Sequence, residues 1–242
     1  MSGHSKWNNI KRKKEKTDGA KAKVFTKIGR EISVAVRTGG PNPASNSKLA
    51  DLIAKAKRMS VPNDNIQRII KKAEGGDKTE YEAITYEGYG PSGVAIIVDA
   101  MTDNRNRTAS DVRHYFDKYG GNMGAAGCVS WSFDKKGVIV IDNEDEDLDE
   151  EAVFESALEA GADDLEAEEG IFTVYTQPDD VASVAEALSA KYRLLSAQVE
   201  MVPQNYITLT DEGDIKNMSK MLEMFDDNED VQNVWHNWEN EE

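Results

Sequence analysis

The sequence predicts an α+β fold with three helices at the N-terminus and two α+β domains after them, one inserted into the other. Three observations carry this expectation. Apolar residues recur at helical spacing through residues 20 to 74, with lysine-rich positions between them. From 137 to 202 the pattern runs strand, helix, strand, strand, helix, strand. The tail beyond 202 offers strand-like pieces and a helix that need a sheet, and residues 79 to 134 have one to share.

The first segment is an arm. Residues 2 to 19 hold Lys6, Lys11, Arg12, Lys13, Lys14 and Lys16 with few apolar side chains to anchor them, so it is expected to stay mobile until it meets a polyanion. Trp7 has two readings: it stacks on an unpaired base, or it pins the arm to the helical core.

From Ala20 to about Arg37, Val24, Phe25, Ile28, Ile32, Ala35 and Val36 form one apolar stripe. At about 100° per residue, Lys23, Lys27, Arg30 and Arg37 fall on the opposite face. Gly39, Gly40 and Pro41 end this helix. Asn46 or Ser47 caps a second, carrying Leu49, Leu52, Ile53 and Ala56. Val61 and Pro62 break it before a third with Ile66, Ile69, Ile70 and Ala73, which Gly75 and Gly76 close. The short turn from Met59 to Asn63 admits a helix-turn-helix reading, in which Asn63, Asn65, Gln67 and Arg68 read base edges, beside that of a plain helix pair.

Residues 81 to 88 and 93 to 102 read as a hairpin. Its joint from Gly88 to Gly93 matches GxGxxG, yet a strand follows it where a dinucleotide site needs a helix, so the match is accidental. Thr108 with Asp111 resembles a capping box opening a helix striped by Val112, Tyr115, Phe116 and Tyr119. The glycine-rich segment after it, with Gly120, Gly121, Asn122, Met123 and Gly124, is either a loop that reaches into a partner or a helix cap and connector. Cys128 to Phe133 alternates as a strand.

Elements at 137–141, 150–161, 163–168, 171–176, 179–191 and 194–201 have the split βαβ order of a ferredoxin-like domain. Beyond them come a strand near Tyr206 to Leu209, a helix with Ile215, Met218, Leu222 and Phe225, and a strand from Val231 to His236. The expected domains are therefore 1–78, a basic helical module with its arm; 79–136 with 203–242, a discontinuous middle domain; and 137–202, the insertion.

Charge is sorted along the chain. Residues 1–78 carry 19 Lys and Arg against 7 Asp and Glu, whereas the rest carries 10 against 38, so the net −16 hides a basic module on an acidic body. Such a module suggests nucleic acid, because neutralising phosphates releases counterions. Cys128 is the sole cysteine, which excludes an intrachain disulfide and fits a reducing, cytoplasmic setting. The longest apolar run, Val94 to Val98, is far too short for a membrane span. His4, His114 and His236 are scattered, no nucleophile elbow or phosphate loop occurs, and the acidic run from Asp142 to Glu151 lacks calcium-loop spacing. No enzyme, metal or cofactor is expected.

Several strings together resemble the YebC family: Gly3-His4-Ser5-Lys6-Trp7-Asn8-Asn9-Ile10-Lys11, Phe25-Thr26-Lys27-Ile28-Gly29-Arg30-Glu31-Ile32, Val61-Pro62, Tyr86-Glu87-Gly88-Tyr89-Gly90-Pro91, Asn106-Arg107-Thr108-Ala109-Ser110-Asp111-Val112-Arg113, Gly120-Gly121-Asn122-Met123-Gly124, and Glu229-Asp230-Val231-Gln232-Asn233-Val234-Trp235-His236-Asn237. The chain departs from that pattern at Gly19, Gly29 and Trp238; Gly29 is expected to loosen the first helix. The resemblance implies three domains around a cleft and no cofactor. Members are labelled probable DNA-binding transcriptional regulators. A mitochondrial relative activates translation of cytochrome c oxidase, and bacterial members are linked to relieving ribosomes stalled on proline-rich sequences. Expected partners are thus DNA or ribosomal RNA and tRNA, with the ribosome behind the latter, gripped by Lys6, Trp7, Lys11 to Lys14, Lys16, Lys23, Lys27 and Arg30; no membrane is involved, and a monomer is expected. The alternative is an acidic protein-interaction or enzymatic platform whose basic arm is incidental.

Overall fold

The computed structural model describes residues 18–75, 79–144, 147–168 and 170–239, with side chains from residue 23 onward. The expectations for Lys6, Trp7, Lys11, Arg12, Lys13, Lys14 and Lys16 lie outside the described residues.

Helices α1 (Asp18–Gly39), α2 (Ser47–Arg58) and α3 (Asn63–Glu74) come first. Asn46 locks the first two together. Its carboxamide oxygen accepts from the Leu49 N–H at 3.1 Å, while its nitrogen donates to the carbonyls of Ala35 and Gly40, each at 2.8 Å. Ile28, Ile32, Leu49, Ala56 and Ile66 form the sealed centre, as the helical stripes require. Gly29 sits in α1 where the helix meets α3. A Cβ at this position would meet Ile69 Cδ1 at 3.3 Å, so glycine lets α1 and α3 approach.

The chain continues through β1 (Glu82–Tyr89), β2 (Ala95–Thr102), α4 (Arg105–Lys118) and β3 (Asn122–Met123). It then leaves for β4 (Phe133–Asp142), α5 (Glu150–Ala160), β5 (Asp164–Glu168), β6 (Ile171–Thr176), α6 (Val181–Ser189) and β7 (Leu194–Pro203). It returns with α7 (Glu212–Asp227) and β8 (Val231–His236). Two four-stranded antiparallel sheets result, ordered β3-β1-β2-β8 and β5-β6-β4-β7. The second has the strand order of a ferredoxin-like fold, inserted in the first. Contacts group residues 133–204 as one compact unit and the helices with the β1–β2 sheet as another.

The inserted unit buries Ile139, Ile141, Val153, Ala157, Phe172, Val174, Val184 and Leu188 beneath α5 and α6. In the other unit, α4 and α7 cover one sheet face with Val112, Phe116, Met218, Met221 and Phe225 against Val94, Ile96 and Val98. Trp238 is fully buried in that core, which explains an indole this close to an acidic C-terminus.

Three expectations need correction. Helix α4 starts three residues before Thr108: the Asn104 side chain accepts from the Arg107 N–H at 3.1 Å and is the cap, leaving Thr108 fully buried inside the helix. Cys128 to Phe133 is no strand; Ser130–Ser132 is a single 3₁₀ turn and β4 begins at Phe133. Tyr206 to Leu209 contributes one parallel bridge, Ile207 with Trp238. The Gly90–Val94 joint is a turn between paired strands, as the sequence argues, with no helix to receive a pyrophosphate.

Candidate nucleic-acid interface

Of the four cations expected on one face of α1, Lys23, Lys27 and Arg30 do not form an open face. Lys23 Nζ lies 2.6 Å from Asp227 Oδ1, and Lys27 Nζ donates to the Asp226 carbonyl at 3.1 Å. Arg30 Nη1 donates to Asp230 Oδ1 at 2.6 Å, the Glu229 carbonyl at 2.8 Å and the Met101 carbonyl at 3.1 Å. Asp226 and Asp227 lie in the last turn of α7, whose partially negative end attracts cations, while Glu229 and Asp230 follow that helix and Met101 belongs to β2. In this conformation Lys23, Lys27 and Arg30, expected as phosphate-gripping side chains, are thus turned toward the protein's own acceptors. Their neutralising partners lie about 200 positions away, beyond the reach of any local pattern. Lys23 and Asp227 are largely exposed and contribute little, whereas Arg30 is anchored.

Asp230 is the hub of this joint. Besides Arg30, its carboxylate accepts from Arg107 Nη2 at 2.8 Å, Thr108 Oγ1 at 2.7 Å and Thr102 Oγ1 at 3.1 Å, while its carbonyl accepts from the Met101 N–H at 2.7 Å. Burial pushes this carboxyl up, but the bonds from Arg107, Thr108 and Arg30 together outweigh that and hold it below the usual range. The same bond to Asp230, with another to Asp103, raises the Arg107 guanidinium still further. A cleft of about 390 Å³ opens beside them, lined by Arg30, Asp103, Arg107, Asp111, Asn228, Glu229 and Asp230. Its charges are mixed, and both its cations are paired, Arg30 with Asp230 and Glu229 and Arg107 with Asp103 and Asp230, which suits a mechanical joint better than a phosphate site.

Exposed cations lie instead on α2 and α3: Lys48, Lys57, Arg58, Arg68, Lys71 and Lys72. They occupy the polar faces of helices whose other faces are buried by Leu49, Leu52 and Ala56, and by Ile66, Ile70 and Ala73. Lys57, Arg58, Lys71 and Lys72 sit in last turns, where cations complement the helix dipole. The amphipathic argument applied to α1 finds them equally well when extended to these helices. Between α2 and α3, Ser60 takes a left-handed φ of 60°. Asn63, Gln67 and Arg68 are exposed on α3, and the Arg68 guanidinium donates to the Asn65 carboxamide oxygen.

The glycine-rich segment is built into the sheet. Asn122 and Met123 pair with Tyr89 and Gly88, and the Gly124 N–H donates to the Glu87 carbonyl at 2.8 Å. The buried Glu87 carboxylate then accepts from the N–H groups of Gly127 and Val129 at 2.8 Å and of Ser130 at 2.9 Å. Those donors are diverted from a strand ladder, which explains the missing strand. Burial pushes the Glu87 carboxyl up, yet the three backbone donors together leave it below its ordinary range. The exposed tip is Ala125, Ala126 and Gly127, beyond the predicted Gly120 to Gly124. A Cβ on Gly121 would meet the Tyr89 carbonyl at 2.5 Å and Met221 Cε at 3.1 Å. Gly121→Ala is therefore expected to cost about 1–3 kcal/mol in urea unfolding, because backbone must move. A midpoint equal to wild type would mean β3 is not held against β1.

Among the described residues, Cys128, His114 and His236 have separate surroundings. Burial, followed by the Glu87 charge, pushes the Cys128 thiol up, away from an activated thiolate. His114 is exposed on α4, while the His236 ring accepts from the Trp238 N–H at 3.3 Å in the core. Among the described residues no cluster suits a metal ion, and no helix is long and apolar enough to cross a membrane.

Two family descriptions match this chain: "TACO1/YebC protein N-terminal domain" over residues 5–76 and "TACO1/YebC second and third domain" over residues 81–238. A "probable transcriptional regulatory protein" of Acetivibrio thermocellus is 56% identical over 240 residues, covering 98% of this chain and 99% of the relative. One of the same description from Caldicellulosiruptor bescii is 54% identical over 244 residues and covers 100% of both. The crystal structure of a conserved hypothetical protein from Aquifex aeolicus is similar with a TM-score of 0.82 at 42% identity, covering 93% of this chain and 92% of that one.

Proposed function

The chain belongs to the TACO1/YebC family, and from that premise we propose that it is a non-enzymatic, cytoplasmic, nucleic-acid-binding regulator of gene expression. The names of its relatives support a regulatory role. The observation that carries the reading is the confinement of net positive charge to residues 1–78, with six exposed cations on α2 and α3. In this reading residues 1–78 act as the gripping module. Lys6, Lys11, Arg12, Lys13, Lys14 and Lys16 of the arm and Lys48, Lys57 and Lys71 of the bundle meet phosphates. The net −28 of the remainder repels them over a reach of about 8 Å at physiological salt, which orients docking. Phosphate contacts position without specifying sequence, so duplex DNA and ribosomal RNA are both accessible to this grip.

Binding measured against salt, on duplex DNA and on single-stranded RNA of the same sequence, tests this reading. Changing Lys11, Arg12, Lys13 and Lys14 together to Ala is expected to weaken binding and flatten its salt dependence by about 0.7–0.9 slope units per lost contact. Adding Lys57→Ala and Lys71→Ala is expected to flatten it further. An unchanged slope in both variants would mean that these cations touch no phosphate.

A further inference from the structure

The structure assigns a second contact with the nucleic acid: we infer that Trp131, with Tyr89 beside it, stacks on an unpaired nucleobase of single-stranded RNA. This rests on the nucleic-acid reading above. Trp131 is 70% exposed and Tyr89 38%, unusual for side chains of their size in a unit with a closed core. Both rings are held in place by one oxygen. Trp131 Nε1 donates to the Cys128 carbonyl at 2.9 Å, and the Tyr89 hydroxyl donates to the same carbonyl at 3.0 Å. Their polar atoms are thereby occupied internally, and what remains for a partner is flat π surface, which recognises a base face rather than a base edge.

Charge selects the occupant. Residues 119–133 contain no charged side chain, the longest such run in a chain that is 31% charged. The acidic body repels a phosphate backbone, and this segment adds no charge of its own to that repulsion. The nearby Glu87 carboxylate is buried under three backbone N–H groups, which disperse its charge. The tip beside the rings, Ala125 to Gly127, has almost no side chain, so a sugar–phosphate backbone can approach closely. A duplex keeps its bases paired and stacked on one another, so single strands are the form that fits.

The experiment titrates the full chain with a labelled single-stranded RNA of about 12 nucleotides and with the duplex of the same sequence. Trp131→Ala is expected to weaken single-strand binding about tenfold, with duplex binding and the salt slope unchanged, because stacking releases no counterions. Trp131→Phe should recover most of the loss, since any aromatic face stacks; a thermal melt matching wild type establishes that the fold persists. Equal single-strand affinity for wild type and Trp131→Ala overturns this inference while leaving the phosphate grip standing. A wild-type chain that binds neither probe overturns both. Loss that Trp131→Phe does not recover, or loss equal on the duplex, also rejects stacking.

Discussion

Asp230→Ala is expected to destabilise the protein by about 3 kcal/mol at neutral pH and to release the helical bundle from the middle sheet. The carboxylate is 6% exposed and Arg30 13%, so truncation leaves the guanidinium only the longer, exposed pair to Glu229 at 3.6 Å, in a joint where breaking a buried pair costs about 3–5 kcal/mol. Arg107 is half exposed and adds less, since water can replace Asp230 there. The pH dependence has a definite sign. Because the folded-state carboxyl is held below its ordinary value, its contribution is present above the unfolded-state value of about 4 and is lost as pH falls through the folded-state value. The gap between wild type and Asp230→Asn in urea unfolding should therefore close on acidification. A gap that persists unchanged well into acid, or an Asp230→Ala cost below about 1 kcal/mol, would mean that the joint is carried by other contacts.

The second large effect is expected at Glu87. Glu87→Ala removes the acceptor for three backbone N–H groups, and bonds to a charged acceptor contribute about 1.5–3 kcal/mol each, less where water can reach the freed donors. With the exposed tip admitting water, a net loss of about 3 kcal/mol is expected, concentrated in residues 125–132. Amide exchange at Val129 should accelerate far more than at Ile96 in the sheet centre. Similar acceleration at both sites would mean that Glu87 supports the whole unit and not its loop. Here too the carboxyl lies below its ordinary range, so protection of Val129 should be full above the unfolded-state value and fall as pH drops through the folded-state value.

Much of the fold was legible because period speaks plainly for amphipathic elements. The stripes of α1 to α3, the βαββαβ order of the insertion and the return of α7 and β8 follow from apolar spacing to within a few residues. Legibility ended wherever a distant side chain took over backbone or charge. Cys128 to Phe133 alternates like a strand, but Glu87 claims its donors from across the sheet. Thr108 has the chemistry of a cap, but Asn104 reaches the helix end first and Asp230 takes the Thr108 hydroxyl. Lys23, Lys27 and Arg30 are cationic in any sequence reading, and only the tertiary fold brings Asp226 to Asp230 against them. Glu87 itself gave no signal, since an acidic residue alternating with apolar ones in a strand reads as solvent-facing.

The span between Arg30 and Asp230 also fixes an order of events during synthesis. At about 5–20 residues per second, the partner of Arg30 follows it by roughly 10–40 s. Throughout that interval Lys23, Lys27 and Arg30 lack their partners at residues 226–230, and the insertion emerges before β8 arrives to complete the first sheet. Completion of the Arg30–Asp230 joint is thus a late step, available only to a chain translated past Asp230.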